Sequence, residues 1–207
     1  ASVSAGLGVL SVAVLMTLSG CAVAVSDEEL FEQARGVYME YRSAAADVQV
    51  EILDGEWAVY DYGDTPDSCD EDGYSFRFGR TTPAGWRIDG TPSEAADQLA
   101  GWLHENGWSE IKKRTYGEGI ADVLVEATKP EAHVGRLTVD YSPGQVQDSA
   151  TTTVISTCEL GGSRTIRDLR RPGYPEDKAT LEKKPAEEHP LAEPSFGYTV
   201  DGKRRFW

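Results

Sequence analysis

Leu30, Ala34, Val37, Tyr41, Ala45, Val48 and Ile52 follow one another at steps of four and three. That spacing keeps one face of a helix apolar for about seven turns. Its start is marked by Ser26-Asp27-Glu28-Glu29, a capping box in which the Ser hydroxyl and the Glu carboxylate satisfy each other's orphan backbone donors. Val25 before the box and Leu30 after it stand where a hydrophobic staple needs them, and Asp54-Gly55 stops the run. A second helix opens at Thr91, with Pro92 in the first helical position, buries Ala95, Leu99, Trp102 and Leu103, and ends at Asn106-Gly107.

Elsewhere the period shortens to two. Tyr74-Ser75-Phe76-Arg77-Phe78 alternates aromatic and polar residues, as a half-buried strand does, and Trp86-Arg87-Ile88 is expected to continue it as a hairpin. Trp57 to Tyr60 is a short strand candidate. From Trp108 onward Ala121, Val123, Val125 and Ala127 alternate, then Leu137, Val139 and Tyr141, then the Thr-rich stretch Ala150 to Cys158. Turns are expected at Gly117 to Gly119, Lys129-Pro130 and Pro143-Gly144. Each helix and the sheet has one apolar side to hide. The simplest solution is an α+β fold with two helices on one face of a single, mainly antiparallel sheet.

The composition sets limits on partners. The chain has 207 residues, 40% of them hydrophobic, and 20 basic against 35 acidic residues give a net charge of −15. That is enough apolar material for a real core, and the wrong charge for nucleic acid or for electrostatic adhesion to anionic lipid. Five of the ten prolines fall beyond Leu169 among Lys, Glu and Ala with no apolar period. A segment of that kind buries too little to offset its ordering entropy, so 26–169 is expected to be a single domain and 170–207 a disordered tail.

Residues 1–20 carry no charged side chain, and the apolar run Gly6 to Leu18 leads into Leu18-Ser19-Gly20-Cys21. These four residues resemble the lipobox of bacterial lipoproteins. The resemblance implies a signal peptide over 1–20, apparently truncated at its start, cleavage before Cys21, and a thioether-linked diacylglyceryl group on that sulfur. Residues 21–25 would then be anchor and linker. Two acyl chains hold a protein stably at a membrane where a single one does not. The rival reading of this apolar stretch is a transmembrane helix. It accounts neither for Cys after Leu-Ser-Gly nor for Gly6, Gly8, Ser11 and Gly20.

Assigning Cys21 to lipid leaves Cys69 and Cys158 in an exported chain, where disulfides persist. We expect them to bridge, closing a loop of about 90 residues worth at most about 4 to 5 kcal/mol in the chain-entropy model. A metal site or catalytic thiol is not expected: His104, His133 and His189 are scattered, and no CxxC occurs.

Candidate chemistry is sparse. Asp54, Glu56, Asp61, Asp64, Asp67, Asp70, Glu71 and Asp72 form an acidic stretch without a base, expected to be mainly a solvated loop. Asp70, Asp72 and Gly73 echo the start of a calcium loop, but the twelfth position is Gly79 where a bidentate Glu is needed. Paired acids beside Trp57 and Tyr62 are what a glycan hydrolase would use. No nucleophile elbow, phosphate loop or HExxH is present, and no cofactor or catalytic residue is assigned. With the lipobox, the capped first helix, the Cys pair and the strand Gly73 to Phe78, the layout resembles small actinobacterial lipoproteins of the LppA-like group. That resemblance implies an uncharacterised protein anchored to the membrane through Cys21 on its extracytoplasmic face, and it carries over no catalytic residue. The expected role is a non-enzymatic module binding an envelope protein or glycan, and the alternative is an envelope-glycan hydrolase using the acids of 54–72.

Overall fold

Both capping boxes form. In the computed structural model, which describes residues 25–171 and 181–206, helix α1 runs from Asp27 to Ile52. The Glu29 amide donates to Ser26 Oγ at 3.3 Å, and the Ser26 amide donates back to the Glu29 carboxylate at 2.9 Å. Helix α2, Pro92–Glu105, repeats the device with Thr91 and Glu94 at 3.2 and 2.9 Å. Cys21 and the lipobox lie outside the described residues.

The strands are β1 (Trp57–Ser68), β2 (Gly73–Thr81), β3 (Ser109–Thr115), β4 (Val123–Lys129), β5 (Val134–Ser142), β6 (Ser149–Ser156), β7 (Glu159–Leu160) and β8 (Glu187–Glu188). They form one antiparallel sheet in the order β3-β4-β5-β6-β2-β1-β8, with β7 against β2. Register puts the apolar positions on one face: Val125 opposite Val139, Leu137 opposite Val154, and Val154 opposite Phe78. The helices share a single core with that face, α1 against β1, β5 and β6 and α2 against β3, β4 and β5. A short third helix, α3 (Ser163–Leu169), packs beside α1. The fold is α+β, as the pattern predicts.

Aromatic rings fill the centre. Tyr41 stacks on Phe76 with centroids 6.0 Å apart, and Tyr38 meets Phe76 edge-on at 5.9 Å. The Tyr41 hydroxyl donates to the Gly63 carbonyl at 2.5 Å. Gly63 has φ 74°, and a Cβ there would fall 2.0 Å from that hydroxyl, so both backbone and neighbour require glycine.

Three expectations need correction. Strand β1 spans twelve residues instead of four, and takes in Asp61, Asp64 and Asp67. Trp86 to Ile88 is no strand: the Asp148 carboxylate accepts from the Ile88 amide at 3.0 Å, and the Trp86 carbonyl accepts from the Asp148 amide at 3.1 Å, which holds the segment as a loop. The expected disordered tail is ordered over 181–206. Phe196 is fully buried, 5.0 Å from Tyr38 and 5.3 Å from Phe31, and Glu187 and Glu188 pair with Ala58 and Trp57. The physical reason lies in its charges and aromatics. Lys184 and Glu188 find opposite charges inside the fold, and Phe196 and Tyr198 supply apolar burial that the proline content hides.

Candidate functional site

Pairing of β2 with β6 and β7 brings Cys158 beside the turn after β1, and Cys69 and Cys158 are bridged with Cα atoms 5.9 Å apart. Gly73 lies beneath the bond: a Cβ there would meet Cys158 Sγ at 2.6 Å and Cys69 Sγ at 3.0 Å. Replacing both cysteines by Ser is expected to lower unfolding free energy by about 2 to 4 kcal/mol, read from the denaturant midpoint without reductant. An unchanged midpoint would show that the bridge staples nothing.

The acidic stretch is dispersed by the fold. Asp61 Oδ1 accepts from the Gly63 amide at 3.0 Å, and burial raises its carboxyl above the ordinary value. Asp54 faces His189 Nε2 at 3.2 Å. Asp70, Glu71 and Asp72 sit in the exposed turn between β1 and β2. Among the described residues no group of three or more His, Cys, Asp or Glu side chains is placed to hold a metal ion.

Asp64 is 3% exposed. It pairs with Arg170 at the end of α3 and, at 2.5 Å, with Lys184. Burial pushes its carboxyl up, and the Arg170 and Lys184 charges overcome that and hold it below the ordinary value. A second buried ion group stands close by. Glu188 Oε2 accepts from Arg42 Nη2 at 3.1 Å and from Arg80 Nη2 at 2.5 Å. Both guanidinium groups lie on the Phe78 ring, 4.4 and 4.2 Å from its centroid. Sequence reading missed this network because its members come from α1, β1, β2, α3 and the C-terminal segment, and no local spacing links them.

The loop after β2 shapes a cleft. Asp148 collects the amides of Gly144 and Ile88 at 2.9 and 3.0 Å and pairs with Arg87 at 3.3 Å. Those backbone bonds, with Arg87 helping, hold its carboxyl below the ordinary value. So fixed, Trp86 and Ile88 wall a cleft of about 100 Å³ with Ile52, Ala95, Leu99 and Tyr141, and Glu51, Asp89 and Gln98 also line it. Burial and the Glu51 carboxylate push the Tyr141 phenol well above its ordinary value. No helix among the described residues is long and apolar enough to cross a membrane. Compared with protein families, with characterised proteins and with solved structures, the chain matches none.

Proposed function

We propose that this protein is a lipid-anchored module at the outer face of the cytoplasmic membrane, which binds an envelope protein or glycan without turning it over. The observation that carries the reading is the closed Cys69–Cys158 pair, because such bridges persist in oxidising compartments. The remaining sulfur, Cys21, is the one in Leu18-Ser19-Gly20-Cys21. Five residue steps separate it from the cap of α1, so a lipid there tethers the domain within roughly 18 Å of the headgroups. A glycan hydrolase needs two free carboxylates flanking a bond. Asp64 is committed to Arg170 and Lys184, which takes it out of any such pair and leaves the hydrolase reading to rest on Asp61 and Asp67.

Metabolic labelling with an alkynyl palmitate tests the anchor. Wild type takes up label and sediments with membranes, and Cys21→Ala does neither. An unlabelled wild type ends the proposal. Turnover of envelope glycans that fails in Asp61→Asn and Asp67→Asn would instead favour the hydrolase.

A further inference from the structure

The cleft beside Trp86 has a floor of one kind and a rim of another. Its walls are the side chains of Ile52, Trp86, Ile88 and Leu99, while Glu51 and Asp89 are exposed carboxylates and Gln98 an exposed amide. No Lys, Arg or His is among the residues that line it. The nearest base in sequence, Arg87, is turned away. It donates to the carbonyls of Gly144 and Val146 at 3.1 and 2.6 Å and pairs with Asp148. Tyr141 is 3% exposed, lines the cleft, and has no hydrogen-bond partner for its phenol among the described residues. The ring is buried, but its oxygen is not among the buried side-chain atoms that lack a partner, so it keeps access to solvent, and an occupant of the cleft can take the place of water as its partner.

From these features we infer that the cleft binds an alkylammonium group, such as a lysine-like side chain or other primary amine of an envelope component. The inference gives a ligand class to the binding module proposed above and rests on that reading only for its biological setting. The match is physical at each end. An apolar stem is removed from water against Ile52, Ile88 and Leu99, at about 25 cal/mol per Å² buried. The ammonium head meets the negative faces of Trp86 and Tyr141 and the carboxylates of Glu51 and Asp89, and an N–H donates to the Tyr141 oxygen. The volume is that of about three water molecules, which suits one short chain. A carboxylate ligand would face two like charges with no cation to offset them.

The experiment uses the full chain in mild detergent, with n-butylammonium as probe and 1-butanol and glucose as neutral comparators. The signal is the Trp86 indole N–H resonance, identified by its absence in Trp86→Phe. We expect a saturable shift with butylammonium and none with butanol or glucose. Glu51→Gln and Asp89→Asn should each weaken binding about tenfold, the equivalent of 1.4 kcal/mol, without changing the melting temperature, since both side chains are exposed. Equal shifts with butanol would reduce the site to a plain apolar cleft, and a shift with glucose alone would make it a sugar site. Either result, or binding indifferent to both charge removals, overturns the inference. Palmitate labelling of Cys21 is read separately, so failure of the anchor and failure of the ligand class are distinguishable.

Discussion

A chain ending at Thr180 is expected to lose its cooperative unfolding transition. The removed segment carries Glu188, the carboxylate shared by Arg42 and Arg80, and Lys184, one of two cations on Asp64. It also carries Phe196, which touches Phe31, Tyr38 and Phe76. Arg42 and Arg80 are 5% and 1% exposed with the segment in place, and both lose their shared anion when it is removed. Breaking a buried pair by removing one partner costs about 3 to 5 kcal/mol, and emptying a Phe site costs a similar amount. Together these match the whole stability of an ordinary domain, about 5 to 15 kcal/mol. The point variant Glu188→Gln keeps the shape and removes only the charge, and it should by itself lower unfolding free energy by about 3 kcal/mol. Urea denaturation followed by circular dichroism checks both. A truncated chain that unfolds at the wild-type midpoint would mean that the C-terminal segment decorates the fold and does not hold it.

The same segment shows what sequence reading sees and what it misses. Helices α1 and α2 are legible because capping boxes and apolar stripes are local signals, and β4, β5 and β6 are legible because they alternate cleanly toward one face. Strand β1 is not. Asp61, Gly63, Asp64, Pro66 and Asp67 resemble a loop. They are tolerated because, beyond Trp57 to Val59, which the C-terminal segment covers, β1 is an edge, where proline costs no ladder bond. Side chains take up its free carbonyls: Arg80 donates to Asp61, Arg42 to Tyr62 at 3.2 Å, Tyr41 to Gly63 and Arg167 to Pro66 at 2.9 Å. None of these partners is near β1 in sequence. The Trp86 cleft is invisible for the same reason, since its walls come from α1, α2, β5 and the loop that Asp148 pins. Cysteine arithmetic succeeded where local pattern failed, because excluding Cys21 left a single pair.

Acid should undo the fold at its buried charges. Asp64 and Glu188 are both raised by burial and then held below their ordinary values, the one by Arg170 and Lys184, the other by Arg42 and Arg80. Carboxylates with depressed folded values contribute stability that is complete above the unfolded values, about 3.9 for Asp and 4.3 for Glu, and is lost as pH falls through the folded ones. The urea midpoint is therefore expected to be level near neutrality and to drop steeply below about pH 4. Asp64→Asn removes one such group. It should cost about 3 to 5 kcal/mol at pH 7, by leaving Arg170 and Lys184 uncompensated, and it should flatten the acid limb because one fewer proton is taken up on unfolding. The alkaline limb has the opposite cause. Burial pushes the Tyr38 phenol up to about 12, so its contribution is complete below the ordinary value of 10.0 and is lost as pH rises toward 12. Tyr38→Phe keeps the ring and removes the proton, so it should soften the alkaline limb and leave the acid limb untouched. An Asp64→Asn protein with the wild-type acid limb would assign the acid sensitivity to other carboxylates and leave the buried pair without that role.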